Sequence, residues 1–242
     1  MRLLLLRNRP EGPKVRLAGK EFSYISKVLR LREGDQITAR DPQSSFWLLT
    51  IEAIEASSIT ASAQPIDKPI ETTDALPKAS IQELWLFQGV TKEKKLEQIV
   101  RQATEIGVSR IIPFHSAFST RETVRSSRLV SMVEQAIQQS GSSVPTVLEE
   151  PIDIRSIPSL WNSRGPLIFF HQAPSSTIAL EDAIGPGPAA VIIGSEGGLS
   201  DQECQDLVEQ GAIQAYLKTN ILRAETAAVY ALGVVQSLQA GR

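Results

Sequence analysis

The sequence predicts an α/β protein in two parts, a small β-barrel of short strands followed by a parallel sheet with helices on both faces. Two observations lead to this expectation. Short strand-like runs dominate residues 1–70. From Ser80 onward, strand-like and helix-like runs alternate, and such alternation is typical of a parallel sheet that helices cover on both sides.

A proline-rich stretch separates the two parts. Between Gln64 and Lys78, prolines at positions 65, 69 and 77 stand among Asp, Glu and Thr residues. Each proline restricts itself and the residue before it to extended backbone, so a linker is expected here. The expected domains are therefore residues 1–70 and residues 71–242.

The first part combines short strands with a basic surface. Strands are expected at residues 2–6, 36–40, 46–54 and 58–63, around one helix at residues 20–31. The whole chain has a net charge of −2, yet residues 1–40 contain ten Lys or Arg against four acidic residues. Such an excess suits binding to a phosphate backbone. It also suits an ordinary solvated surface, so charge alone leaves both interpretations open.

The second part alternates strands and helices. Its first helix has an apolar face, and Gly107 is placed to end that helix. The residues of this face are Leu96, Ile99, Val100 and Ala103. The strand-like runs lie at residues 81–87, 110–114, 166–171, 189–193 and 213–217. In a parallel sheet the segments after the last three, at residues 170–172, 194–198 and 218–223, should converge on one crevice.

The first motif of note, Ile-Gly-Ser-Glu-Gly-Gly-Leu-Ser, occupies residues 193–200 and links a strand to a helix. Its glycine spacing matches neither the dinucleotide fingerprint nor the phosphate loop. Ser200 and Glu203 have the spacing of a capping box, which makes the loop short and rigid. The loop is either an ordinary tight turn or a backbone that presses closely against a flat ligand.

The second motif, Asn-Ile-Leu-Arg-Ala-Glu-Thr-Ala, occupies residues 220–227 and opens the last helix. An arginine at the end of a strand presents a planar set of donors to a phosphate or to a uracil carbonyl. Glu225 in the first turn also interacts favourably with the helix dipole, so a purely structural role for both charges stays open.

In this order and at this separation, the two motifs resemble the ribosomal RNA small subunit methyltransferase E family. That family belongs to the SPOUT class of S-adenosylmethionine-dependent methyltransferases. The resemblance covers nearly the whole chain, including residues 28–32, 103–108 and 139–140. It implies a trefoil knot in the C-terminal sheet, a PUA-like barrel that binds RNA, and a homodimer. The implied reaction is methylation of N3 of a uridine in 16S ribosomal RNA, either free or in the small subunit.

The resemblance also implies roles for individual residues. Arg223 would stabilise the developing uracil anion, and Glu225 would orient Arg223 or assist removal of the proton. The implied cofactor-binding residues are His171, Gly194, Glu196, Gly197, Gly198, Leu217, Ile221, Leu222 and Thr226, although His171 is equally consistent with a core histidine. The implied RNA-binding residues are Arg30, Arg32, Lys92 and Arg121. Four positions depart from the pattern: Gln102, Phe118 and Ser142 stand where the family has basic residues, and Ser195 where it has proline.

Composition excludes several other classes. One cysteine permits no disulfide within the chain, and with two histidines it provides no visible metal-ligand cluster, so no metal is expected. Cys204 is expected to be buried or unreactive. The apolar run at residues 3–6 is too short for a signal peptide, and no run approaches a membrane span, so a cytoplasmic protein is expected.

Two other functions stay open at this stage. The first is a knotted dimer that binds RNA or ribosomes without transferring a methyl group, which the missing basic residues make plausible. The second is a serine hydrolase built from Ser195, His171 and Asp201. The Gly-x-Ser-x-Gly spacing fails for this hydrolase, because residue 193 is isoleucine.

Overall fold

The computed structural model describes residues 3–67, 82–120, 124–142, 144–171, 178–217 and 219–240. The chain forms two compact units. The first comprises Met1–Pro77 and Ile137–Ser143, and the second comprises Lys78–Ala136 and Val144–Arg242. None of the helices in the described ranges has both the length and the apolar character needed to cross a lipid bilayer.

The first unit contains a five-stranded curled sheet in the order β1-β3-β4-β5-β2. Only β1 and β3 are parallel, and the other pairs are antiparallel. Alternate residues of the strands point into one apolar core, which includes Leu17, Leu49 and Ile59. The strands are β1 (Leu3–Leu5), β2 (Lys14–Ala18), β3 (Gln36–Arg40), β4 (Phe46–Ile54) and β5 (Ser58–Ile66).

The expected helix at residues 20–31 is divided and ends early. It begins as α1 (Lys20–Ser23) and continues as a π-helical segment at Tyr24–Leu29. Arg30 then adopts a left-handed conformation, with φ 55°, and its amide donates to the carbonyl of Ile25. The π-helical turn places Ile25 and Leu29 in the core of this unit. Hydrophobic spacing alone did not distinguish this winding from an ordinary α-helix.

Two further differences concern the strands around this core. The sequence did not predict β2, because it has only two apolar core-facing residues, Val15 and Leu17, among exposed polar ones. In addition, β5 continues through Pro65, which was assigned to the linker. Pairing of β2 with β5 stops at Ser62, so Pro65 has only β4 as a neighbour and no second strand requires its missing amide.

The second unit contains an eight-stranded sheet in which every pair is parallel. The order is β11-β13-β10-β12-β6-β7-β8, and β9 also pairs with β7. The strands are β6 (Leu84–Gly89), β7 (Arg110–His115), β8 (Val147–Leu148), β9 (Ile152–Asp153), β10 (Leu167–Phe170), β11 (Ile178–Ala179), β12 (Ala189–Ile193) and β13 (Ile213–Tyr216). The helices are α2 (Glu93–Ile106), α3 (Ser126–Ser140), α4 (Ile157–Trp161), α5 (Leu180–Ala183), α6 (Asp201–Glu209) and α7 (Ala224–Ala240).

Helices cover this sheet on both faces, as expected. On one face, side chains from four strands pack against α4 and α6, through residues such as Phe87, Phe169, Ile192, Trp161 and Leu207. On the other face, α7 packs against α2, β6 and β12. The strands are therefore buried on both sides, which explains why β6 and β12 are apolar along almost their whole length.

The first helix of this unit matches the sequence prediction. Leu96, Ile99, Val100 and Ala103 of α2 are all buried. Gly107 ends the helix with φ 97°, and its amide donates to the carbonyls of Ala103 and Thr104.

After β12 the chain moves outward in the sheet and then returns. From β12 it passes β10 to reach β13, and then returns as α7 to pack on β12 and β6. The expected trefoil knot requires such a return path. The threading itself depends on residues 172–177 and 218, which lie outside the described residues, so the knot stays a prediction.

Gly165, just before β10, packs tightly against the backbone of Pro188, just before β12, and this contact can be tested. A Cβ built there would lie 2.0 Å from the carbonyl oxygen of Pro188, whereas one built at Gly185 would meet nothing within 4 Å. We expect Gly165→Ala to lower the free energy of unfolding by about 1–3 kcal/mol, because backbone must move to admit the methyl group. Gly185→Ala should leave it nearly unchanged. Urea denaturation of both variants measures the difference, and equal stability would contradict this packing.

Candidate active site

Three neighbouring strands of the second unit end at the same edge of the sheet. Phe169 of β10 lies opposite Ile192 of β12 and Gln214 of β13. All three strands are parallel, so the segments that follow them leave the sheet together. His171, residues 194–198 and residues 219–223 belong to these segments. The described parts of these segments thus lie at one edge of the sheet, and a crevice between them stays a prediction.

The loop after β12 is short and rigid. The amide of Gly198 donates to the carbonyl of Ser195 over 2.9 Å, and Gly198 has φ +74°. Ser195 is buried, and its Oγ donates to the carbonyl of Phe118 over 2.9 Å. Ser200 and Glu203 then form the predicted capping box at the start of α6. The turn is therefore held at both of its ends.

Three glycines allow the backbone around this loop to approach closely. A Cβ at Gly89 would lie 2.5 Å from the Ser195 nitrogen, and one at Gly194 would lie 2.9 Å from the carbonyl carbon of Gly198. A Cβ at Gly197 would lie 2.6 Å from the Cβ of Phe118. The packing of the chain itself therefore explains why these positions are glycine. Contact of these glycines with a ligand stays a prediction.

Gln88 connects this loop to the end of β6. Its side chain is fully buried, and Nε2 donates to the carbonyls of Gly89 and Gly194 over 3.0 and 3.3 Å. Its Oε1 is also buried, and it accepts no hydrogen bond from the described part of the chain. A buried acceptor of this kind normally finds a partner, so the Oε1 atom of Gln88 is an unsatisfied polar group beside the loop.

The segment after β13 presents apolar side chains and backbone donors. Leu217 and Leu222 are half-buried, whereas the side chain of Ile221 is 79% exposed. Among the described residues, nothing accepts a hydrogen bond from the amides of Ile221 and Leu222. Arg223 is exposed, and its carbonyl accepts from the amide of Ala227 in the first turn of α7, where Thr226 is also exposed.

Lys95 of α2 links the two loops, and sequence reasoning did not assign it to the site. Its Nζ lies 3.1 Å from Oε1 of Glu196 and 3.6 Å from Oε2 of Glu225. The side chain of Glu225 is only 13% exposed. Within the described part of the chain, Glu225 therefore pairs with Lys95 rather than with Arg223. No local pattern indicates this contact, because the three residues are far apart in the sequence.

The charge of Glu196 depends on this arrangement. Burial would by itself raise the pKa of its carboxyl group. Hydrogen bonds from the amides of Glu196 and Lys92, together with the ion pair to Lys95, outweigh that effect, so the pKa lies below its ordinary value. Glu196 is accordingly a carboxylate at neutral pH.

Ser195, His171 and Asp201 do not form the hydrogen-bonded triad that a serine hydrolase needs. The Ser195 hydroxyl is committed to the carbonyl of Phe118. His171 Nε2 lies 3.4 Å from Oδ1 of Asp201, but the Asp201 side chain is 98% exposed and cannot orient a buried imidazole firmly. A serine hydrolase is therefore not favoured.

The predicted RNA-binding residues are distributed over both units. Arg30 and Arg32 are exposed in the first unit, directly after the π-helical segment, and the Arg32 amide donates to Asp35. Lys92 is exposed at the N-terminus of α2 in the second unit. Arg121 lies outside the described residues. Among the described residues, no three His, Cys, Asp or Glu side chains are arranged to hold a metal ion.

Comparison with known proteins defines the class of this protein. Residues 77–236 match the model of an RNA methyltransferase domain, and residues 17–64 match that of an RNA methyltransferase PUA domain. The chain belongs to this RNA methyltransferase family.

Individual relatives carry the name of the family that the two motifs resemble. The Ribosomal RNA small subunit methyltransferase E of Bacillus subtilis is 25% identical over 238 residues, which cover 93% of this chain and 90% of that protein. The protein of the same name from Rickettsia conorii is also 25% identical, over 94% and 91%. The crystal structure of a Ribosomal RNA small subunit methyltransferase E from Neisseria gonorrhoeae, bound to S-adenosyl methionine, matches with a TM-score of 0.80 and 25% identity over 98% of both chains. The resemblance found in the sequence is confirmed.

Cys204 on α6 provides a test of the packing behind the loop. Burial raises the pKa of its thiol to about 11, and the nearby carboxylates of Asp201 and Glu203 act in the same direction. The thiol should therefore be almost entirely protonated at pH 8 and unreactive toward iodoacetamide in the folded protein. Mass spectrometry should detect full alkylation in urea and almost none without it. Rapid alkylation of the native protein would contradict the burial of α6.

Proposed function

We propose that this protein transfers the methyl group of S-adenosylmethionine to N3 of a uridine in 16S ribosomal RNA. The observation that carries the proposal is the convergence of three loops at one edge of the sheet, beside the exposed Arg223, in a member of the RNA methyltransferase family. The names of the curated relatives and the cofactor bound to the Neisseria protein support the choice of substrate and donor.

The residues at this edge suit the cofactor. Ile221 offers an exposed apolar side chain for a flat purine, and the amides of Ile221 and Leu222 offer donors for its ring nitrogens. Glu196 and Glu225 carry two negative charges against the one positive charge of Lys95, and this net negative charge suits a cationic sulfonium. We propose that the cofactor is held by His171, Gly194, Glu196, Gly197, Gly198, Leu217, Ile221, Leu222 and Thr226.

S-adenosylmethionine supplies an electrophilic methyl group, so the protein mainly has to align the uracil and deal with the N3 proton. Arg223 is exposed and carries a planar set of donors for a uracil carbonyl, where it would stabilise negative charge on the ring. Glu225 is committed to Lys95 rather than to Arg223, and its Oε2 accepts no hydrogen bond within the described residues. We therefore assign Glu225 to removal of the proton rather than to orientation of Arg223.

The remaining partners follow from the same proposal. Residues 1–70 would form the RNA-binding domain, with Arg30 and Arg32 as contacts, and residues 71–242 the methyltransferase domain, with Lys92 and Arg121 also facing RNA. The excess of positive charge in residues 1–40 supports this division. The RNA would be 16S ribosomal RNA or the assembled small subunit, the protein would act as a homodimer, and its location would be the cytoplasm. Binding of RNA without methyl transfer is the less favoured alternative, because the crevice provides both donors and carboxylates for the reaction.

The direct test incubates purified protein with S-adenosylmethionine and small ribosomal subunits that lack the modification. Mass spectrometry of the digested nucleosides should detect 3-methyluridine, and no methylation should appear when the cofactor is omitted. Binding of the cofactor by calorimetry, combined with no methylated nucleoside from subunits or free 16S RNA, would contradict the proposed activity and favour a binding protein.

Arg223→Ala tests the proposed catalytic role. The loss of a donor that acts in the transition state should lower kcat by about 10²–10³ while the affinity for S-adenosylmethionine changes little. Arg155→Ala is a suitable control, because Arg155 is exposed beside β9, at the opposite side of the sheet from β13. Calorimetry and single-turnover methylation separate the two effects. Normal turnover in Arg223→Ala would exclude the assigned role.

A further inference from the structure

We propose that Phe118 is a stacking platform for a base of the RNA substrate, next to the methyl-transfer site. This inference rests on the proposed function. The relevant region is the turn at residues 116–120, which follows β7 in the second unit. The turn lies against the loop after β12, and it carries a large aromatic side chain toward solvent.

The described residues give no structural reason for the exposure of Phe118. Its side chain is 54% exposed, although the fully buried Phe114 lies only four residues earlier in the same segment. The interior of this unit is therefore available to aromatic side chains from this part of the chain. An aromatic ring left in water beside a polar loop is suited to a ligand with a flat face.

The turn that carries Phe118 is anchored on every side. Ser195 Oγ donates to the carbonyl of Phe118, and the amide of Ala117 donates to Oε1 of Glu203 over 2.8 Å. The amide of Thr120 donates to the carbonyl of Val90 over 3.3 Å. Because the backbone is already fixed, stacking on this ring would cost little conformational entropy beyond that of the side chain.

The contact with Gly197 places the Cβ of Phe118 against the loop after β12, which is proposed to bind the cofactor. The Cβ of Phe118 occupies the space that a Cβ at Gly197 would need, with only 2.6 Å between the two positions. Ser195, Gly197 and Glu203 thus all contact the 116–120 turn, although each is at least 77 residues away from its partner in the sequence. A base on the Phe118 ring would therefore lie beside the loop proposed to hold the methyl donor.

The chemistry of the ring indicates what it recognises. Phenylalanine offers neither charge nor hydrogen bonds, so it would contact the face of a base and not a phosphate or a base edge. A uridine that presents N3 for methylation must leave its base pair, and an unpaired nucleotide of this kind is commonly stacked on an aromatic side chain. The expected ligand is the target uracil or an adjacent base in a single-stranded segment.

The test compares three substitutions. Phe118→Ala keeps the Cβ that packs on Gly197 but removes the ring, Phe118→Leu keeps apolar bulk without the ring, and Phe118→Tyr keeps the ring. With unmodified small subunits as substrate, we expect KM to rise about 5- to 150-fold in the alanine variant, the range expected for losing one base stack. The leucine variant should resemble alanine, and tyrosine should resemble the wild type. The affinity for S-adenosylmethionine should stay unchanged in all three.

Two results would overturn the inference. If leucine restores the wild-type KM, the side chain acts only through apolar bulk. If the affinity for S-adenosylmethionine falls together with the affinity for subunits, Phe118 merely supports the cofactor loop. Should the wild type produce no 3-methyluridine, filter binding of the same variants to subunits replaces KM. In that case, tighter binding of subunits by the wild type and the tyrosine variant than by the leucine and alanine variants supports stacking, although the proposed methylation fails. Equal binding by all four proteins rejects stacking.

Discussion

The site depends on how closely the backbone of the loop after β12 packs against the end of β6. A side chain at Gly89 would collide with backbone atoms of this loop, so the contact exists only because position 89 is glycine. A side chain at Gly194 would collide with Gly198 inside the loop itself. Gln88 adds hydrogen bonds to the carbonyl groups of the loop, and Ser195 connects it to the turn at residues 116–120. The ends of β6, β7 and β12 are therefore one rigid base. Because this loop is already ordered, a ligand that binds to it loses little additional conformational entropy.

Electrostatics couples the same base to the last helix. Lys95 comes from the first turn of α2 and lies between a carboxylate of the loop after β12 and one at the start of α7. This arrangement explains how two acidic side chains coexist near one point of a partly buried surface. It also explains why Glu225 is held away from Arg223, whose side chain stays exposed to solvent.

The resemblance implies basic residues at three positions where this chain has none, and these three positions are not equivalent in the structure. Ser142 is only 8% exposed, and Gln102 is half-buried with a buried Oε1. Phe118 is the most exposed of the three, and it replaces a potential phosphate contact by an aromatic surface. Among these three positions, Phe118 is thus the one at which a surface charge is replaced, and it lies beside the loop after β12. We propose that this position contacts RNA through its aromatic ring instead.

Local patterns in the sequence were sufficient for much of this protein. Alternating elements predicted the covered parallel sheet, and the spacing of Ser200 and Glu203 and the position of Gly107 predicted a helix start and a helix end, because caps depend on residues close in the chain. The π-helical turn at Tyr24–Leu29 and the strand through Pro65 were missed, since each depends on neighbours from other strands or on the core. The contacts of Lys95 with Glu196 and Glu225, and of Phe118 with Gly197, could not be predicted either. They join residues from different βα units, and only the order of the strands in the sheet brings such distant residues together.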